Sequence, residues 1–259
     1  MTSHYEVRGA VAVIRLDNPP VNELNWKTSR SIIENFDRAA ADPTVEAVVL
    51  TGADFVFSAG ADIREFAGAD LPRAPTLHDL LQTVESSPKP VVAAINRLAL
   101  GGGFELALAS NYRIASSATE VGLPEVKLGL LPGGGGTQRL PRAVGLEKAL
   151  SMIVSGETVR AQEFDGTRLF DRIADSDALP SAPEIADELH TGLKSSPRLE
   201  DQPVIHPNAE LARTAAAATE GSRQAVAAAR EQRLCSNYPP KLPTFPWREF
   251  LFDQTTQYQ

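Results

Sequence analysis

Apolar and polar positions divide the first half of the chain into strand-like and helix-like runs in alternation. Four runs are near-continuously apolar and rich in valine and isoleucine: AVAVIRLD (Ala10 to Asp17), VEAVVLTG (Val45 to Gly52), PVVAAIN (Pro90 to Asn96) and YRIAS (Tyr112 to Ser116). Runs of this length without polar alternation predict strands covered on both faces. The N-terminal stretch MTSHYEVRGAVAVIRLD reads as strand throughout. Between these runs, Asn25 to Asp42 places Trp26, Ile32 or Ile33, Phe36 and Ala39 or Ala40 at three-to-four spacing, and Thr76 to Ser87 repeats the pattern. That period is the mark of a half-buried helix. Strand and helix in alternation predict an α/β fold.

The pattern changes after about Asp177. Ala209 to Glu231 is alanine-rich and reads as one or two helices, which helix propensity alone explains. The tail carries Pro239, Pro240, Pro243 and Pro246, so no long helix forms there before Trp247. The expected organisation is therefore a core over residues 1–180 and a helical region with a proline-rich tail over 181–259.

Composition narrows the function classes. The 259 residues are 42% hydrophobic and 22% charged, enough apolar material for a sizeable core. A net charge of −8 disfavours nucleic acid or an anionic membrane as partner, but leaves room for a small anionic ligand held by a local patch or by backbone amides. No run is long and apolar enough to span a membrane, and the N-terminus lacks the basic-then-apolar order of a secretion signal. The single cysteine, Cys235, allows no disulfide framework within the chain and fits a reducing, cytoplasmic setting. His4, His78, His190 and His206 are scattered without metal-ligand spacing, so no metal is expected.

The candidate chemistry lies in the glycine-rich segments. In LGGGFELALAS (Leu100 to Ser110), Glu105 stands inside an apolar run directly after three glycines, where a carboxylate is costly unless paired or used. The segment is not a dinucleotide fingerprint, because Leu106 occupies the third glycine position. PGGGGTQR (Pro132 to Arg139) lacks the Lys-Ser or Lys-Thr of a phosphate loop, and no G-x-S-x-G elbow occurs. What remains is a strand-to-helix turn at Gly101 to Gly103, with a helix from near Phe104, whose free amides can hold a developing oxyanion. FVFSAGADIREF (Phe55 to Phe66) repeats the grammar, with a helix expected from Asp62. A third segment, Ala118 to Gly145, sets Glu125 between Pro124 and Val126. Taken singly, Glu105 also reads as a carboxylate stabilising its own helix N-terminus and Glu125 as a first-turn surface residue, while Gly133 to Gly136 read either as plain turn or as a point of close approach to the site.

SAGADIREF, GGGFELALASNYRIAS and VGLPEVKLGLLPGGGGTQRLPRAVG, in this order and spacing, resemble the three signature regions of the enoyl-CoA hydratase/isomerase (crotonase) family. The resemblance runs from about residue 5 to 175 and is similar in wording to the hydratase portion of multifunctional β-oxidation proteins. It implies a spiral of ββα units, trimers or hexamers, and an acyl-CoA thioester substrate with no separate cofactor. By the resemblance, Glu105 and Glu125 match the two catalytic glutamates, and the N–H groups of Ala61 and Gly102 match the oxyanion hole. Coenzyme A would run along Val21, Asn22 and Leu24 of the PPVNEL segment and along Ala59, Gly60, Asp62 and Ile63. Gly101, Pro124, Leu130 and Gly133 would complete the substrate site, while Phe66, Leu77 and Leu81 are candidates for the acyl pocket or for plain core. Retention of both glutamates favours hydration of a trans-2-enoyl thioester over isomerisation alone. The alternatives are an enoyl-CoA isomerase, a C–C or thioester hydrolase of the same family, or a non-catalytic acyl-CoA binder. No dehydrogenase fingerprint follows on this chain, which makes it a free-standing relative or a cut-down one.

Overall fold

The computed structural model describes residues 2–53, 56–66, 73–192 and 197–204. The N-terminal stretch is not one strand but a hairpin. β1 (Ser3–Arg8) pairs antiparallel with β2 (Val11–Leu16), from Ser3 opposite Leu16 to Arg8 opposite Val11. Gly9, at φ +61°, supplies the positive dihedral that a two-residue hairpin turn requires. α1 (Trp26–Ala41) follows, capped by the Asn25 side chain, which accepts from the amides of Lys27 and Thr28; Ile32, Phe36 and Ala39 form its buried stripe. Then come β3 (Ala47–Gly52), α2 (Leu77–Glu85) with a reciprocal Thr76–Asp79 cap, β4 (Val91–Ile95), the short β5 (Leu98–Leu100) and α3 (Gly102–Leu108). β6 (Tyr112–Ser116), β7 (Glu120–Gly122), α4 (Gly136–Val144), α5 (Leu146–Ser155), β8 (Thr158–Arg160), β9 (Arg172–Ala174) and α6 (Ala182–His190) complete the described elements.

The long strands form one sheet in the order β1-β2-β3-β4-β6-β9, parallel from β2 onward. A second layer holds β5-β7-β8. Single parallel bridges extend it, Ser58 with Ala99 and Leu24 with Ala61. Each turn of chain thus gives a long strand to the first sheet and a short extended piece to the second, then a helix or 3-10 turn. This is a spiral of ββα units.

Both faces of the first sheet are covered, as the apolar runs require. Ile14, Leu50, Ala93 and Ile95 point into the main core between sheet and helices. Their neighbours Val13, Val49, Val92 and Ala94 point the other way and pack on Ala182, Ile185 and Ala186 of α6. Asn96 anchors this covering segment: its side chain donates to Asp177 at 2.6 Å and accepts from the Ala178 amide at 3.0 Å. The alanine-rich stretch 209–231 and the proline-rich tail lie outside the described residues. Among the described residues no helix is long and apolar enough to cross a membrane, and no cluster of His, Cys, Asp and Glu could hold a metal.

Two sequence expectations shift at the strand-to-helix turns. α3 starts at Gly102 rather than near Phe104, and the segment after Asp62 is a 3-10 turn (Ile63–Phe66) rather than a helix start. There the Asp62 carboxylate accepts from the Arg64 amide at 2.9 Å, a local turn that competes with helix. Gly103 lets α3 lie directly on the Ser58 segment, since a Cβ there would sit 2.5 Å from the Ser58 carbonyl oxygen. Gly103→Ala is expected to destabilise the fold by about 1–3 kcal/mol through overpacking. The measurement is a urea titration, and an unchanged midpoint would contradict this packing.

Candidate active site

A cavity of about 570 Å³ opens where the ends of several spiral units meet. Its walls come from residues 59–65, the start of α2, the start of α3, the 3-10 turn Pro124–Leu128 and the loop at 130–134. Two backbone amides lie close together on one wall. Leu24 pairs with Gly60 and Asp62 across the bridge, and the Ala61 N–H between them has no acceptor among the described residues. The Gly102 N–H is the first of α3 and has no acceptor either, among the described residues. A Cβ on Gly102 would lie 3.3 Å from the Ala61 nitrogen, so the missing side chain keeps the space between the amides open. Gly60, at φ +100°, passes so close that a Cβ would lie 2.7 Å from the Leu100 oxygen.

Glu105 is 1% exposed and lies in the first turn of α3. Its carboxylate is held by a different helix. Oε1 accepts from the amide of Gly136, the first residue of α4, at 2.8 Å. This answers the question raised by its apolar setting: the charge meets the positive end of α4. Gly134 and Gly136 make the approach possible, because a Cβ on either would lie 2.6 Å or 3.1 Å from a Glu105 carboxylate oxygen. The glycine run is therefore a cradle and not plain turn. Burial dominates and raises the pKa of Glu105, opposed by the amides of Gly136 and Gly134 and by the charge of Arg139.

Glu125 stands at the start of the 3-10 turn that Pro124 opens. Its Oε2 is buried and has no hydrogen-bond partner among the described residues. A Cβ on Gly101 would lie 3.1 Å from its Oε1, so the bare glycine admits the carboxyl group. Burial first, and then the negative charge of Glu105, push its pKa up to about 8. Two carboxyl groups thus share one largely apolar cavity, and burial raises the pKa of both.

The cavity brings together most residues singled out in the sequence. Val21, Leu24, Ala59, Gly60, Ala61 and Ile63 line one side; Gly101, Gly102, Glu105, Pro124, Glu125, Leu130 and Gly133 line the other. Asn22 and Asp62 do not line it. The Asn22 side chain is buried and donates to the Ala53 and Val56 carbonyls, and the Asp62 carboxylate is engaged by Arg64. Leu77 lines the cavity, Leu81 is core, and the side chain of Phe66 lies outside the described residues. His78 is at the rim, as are Arg64, held by Glu23, and Arg73, stacked 3.6 Å over Trp26. Sequence reasoning missed these two arginines and left the cradling glycines open between plain turn and close approach. The glycines carry a signal, alternate Gly positions with an arginine three residues on; the arginines carry none.

Comparison with known proteins agrees with this geometry. The family model described as "Enoyl-CoA hydratase/isomerase" matches residues 6–225. A relative named peroxisomal bifunctional enzyme, from Danio rerio, is 49% identical over 185 residues, which cover 71% of this chain and 26% of the relative. A probable enoyl-CoA hydratase from Bacillus subtilis is 43% identical over 158 residues, covering 59% of this chain and 61% of that protein. The chain spans about a quarter of the length of the bifunctional relatives it matches. Among solved structures, an enoyl-CoA hydratase from Mycobacterium marinum superposes with a TM-score of 0.65 at 31% identity, covering 74% of this chain and 75% of that one. On the family match, the shared fold and the placement of its signature segments around one cavity, the chain belongs to the enoyl-CoA hydratase/isomerase family.

Proposed function

We propose that this chain hydrates trans-2-enoyl-CoA thioesters to 3-hydroxyacyl-CoA, the hydro-lyase step of fatty-acid β-oxidation. The observation that carries the proposal is the pair of buried carboxyl groups, Glu105 and Glu125, in the same cavity as two unpaired amides. The thioester oxygen would accept from the Ala61 and Gly102 N–H groups, which stabilise it as charge develops; one such donor is worth roughly 10²–10³-fold in other enzymes. Glu105, oriented by its cradle, acts in its ionised form and takes a proton from water as the water oxygen bonds to the β-carbon. Glu125, protonated at neutral pH, gives its proton to the α-carbon. Each turnover leaves Glu105 protonated and Glu125 ionised, and a proton passing between them restores the pair. Coenzyme A would extend from the amides along the Val21–Leu24 and Ala59–Ile63 segments toward the rim arginines.

Glu125 alone can move a proton along an enoyl chain, so isomerisation of 3-enoyl to 2-enoyl thioesters is a second activity of the same site. We further propose a trimer or hexamer, the family's usual assembly. The lone cysteine keeps a reducing compartment, the cytoplasm, as the first reading. Relatives named as peroxisomal and glyoxysomal make the peroxisome its competitor.

The test of the activity is loss of conjugated-thioester absorbance when the purified chain is added to crotonyl-CoA. Glu105→Gln is expected to reduce hydration by roughly 10²–10⁴-fold and to spare isomerisation, whereas Glu125→Gln removes both. Equal losses of the two activities in Glu105→Gln would contradict the division of roles. Gly102→Val should lower kcat by about 10²-fold, since a side chain there would crowd the Ala61 amide and Leu77; an unchanged kcat would remove Gly102 from the oxyanion site.

A further prediction needs no substrate. The folded-state pKa of Glu125 lies above its ordinary 4.5, so the folded chain binds the extra proton and loses stability as pH rises from 4.5 through about 8. Glu125→Gln, which cannot ionise, should therefore melt higher than wild type at about pH 9 and show no such gain at about pH 5. An equal difference at both pH values would contradict the raised pKa.

A further inference from the structure

An ion pair outside the cavity lining bears on Glu105. Arg139 of α4 is 9% exposed. Its Nε and Nη2 donate to the two carboxylate oxygens of Glu85, at the end of α2, both at 2.7 Å. Its Nη1 donates to the carbonyl oxygen of Gly134, also at 2.7 Å. The chain at 134–136 therefore runs between a carboxylate and a guanidinium. Bare Cα atoms at Gly134 and Gly136 face Glu105, and the one at Gly135 faces Arg139, where a Cβ would lie 2.2 Å from Nη1. Each glycine in the sandwich is required by one charged group or the other.

Four successive glycines, Gly133 to Gly136, have large conformational freedom, which must be removed to form a fixed site. The amide that holds Glu105 belongs to this segment. Three hydrogen bonds from one planar, doubly engaged guanidinium supply the constraint, and a lysine cannot reproduce that fork. We infer that Arg139, clamped by Glu85, is a positioning residue that fixes the Gly134–Gly136 loop and through it orients Glu105 toward the reacting water. The inference rests on the hydratase reading above.

The charges around the clamp set its pH behaviour. Arg139 faces Glu85 from α2, Glu105 from α3 and Glu200 from the 199–201 turn, and burial and the nearby Glu85 carboxyl raise the pKa of Glu200. Glu105 also faces Glu125 across the cavity. The positive charge of Arg139 opposes the burial that raises the pKa of Glu105.

The experiment compares wild type, Arg139→Gln, Arg139→Lys and Glu85→Gln as full chains. It reads kcat and KM for hydration of crotonyl-CoA, and the titration of the Glu105 carboxyl group by ¹³C NMR. Arg139→Gln is expected to lower kcat by about 10²-fold with KM nearly unchanged, and to move the Glu105 titration to higher pH. Arg139→Lys keeps the charge without the fork, so it should recover the titration but not kcat. Added guanidinium should partly restore kcat in Arg139→Gln. A folded Arg139→Gln with wild-type kcat, or with an unmoved Glu105 titration, would overturn the inference. Should Arg139→Gln not fold, Glu85→Gln decides: reduced kcat at unchanged KM supports the clamp, and wild-type kcat removes it. Failure of wild type to hydrate crotonyl-CoA would instead sink the hydratase reading, and the NMR titration would still test the clamp.

Discussion

Two carboxyl groups buried in one cavity cannot both carry a charge cheaply, and much of the local architecture follows from that constraint. Glu105 is held from a second helix, whereas one carboxyl oxygen of Glu125 finds no partner among the described residues. The first receives an amide at the positive end of α4 and the nearby charge of Arg139; the second is left with a buried, unpartnered oxygen beside a negative neighbour. Burial raises both, but only Glu105 has amides and a guanidinium to oppose it, and this difference is what supports the proposed division into base and acid. Such a site is a net cost to folding, and the apolar sheet and helices around it must offset that cost.

The spiral makes the site by repetition. Each unit ends a long strand, adds a short piece of second layer and turns into a helix or 3-10 turn, so equivalent turns from successive units stack on one side of the molecule. Ala61 comes from one such turn, Gly102 from the next and Glu125 from a third. The amides need no side-chain chemistry, only backbone that is held open. Gly60, Gly101 and Gly102 do this at the wall, and Gly134 and Gly136 repeat it around Glu105.

Much of this was legible in the sequence, and the exceptions have physical reasons. The four apolar runs became β2, β3, β4 and β6, because strands buried on both faces leave no polar alternation to misread. The polar, mostly exposed β1 merged with its partner, since a single Gly9 was the only break. Glu105 stood out because a carboxylate in an apolar run demands a reason, but the reason lies on α4, more than thirty residues away. Asn22 and Asp62 lie within cavity-forming segments, yet their side chains satisfy local backbone and Arg64, a distinction that only three-dimensional contacts reveal. The Arg139–Glu85 clamp joins two helices by tertiary packing, and nothing local in the sequence pairs Arg139 with Glu85.

Central to the proposed reaction is that Glu105 and Glu125 work in opposite protonation states. Its most direct test is the pH dependence of kcat/KM for hydration of crotonyl-CoA, which reports the titration of both groups in the free enzyme. A bell is predicted, falling on the acid side as Glu105 gains a proton and on the alkaline side, near pH 8, as Glu125 loses one. A rate that holds or rises through and beyond pH 8 would contradict the assignment of Glu125 as the acid.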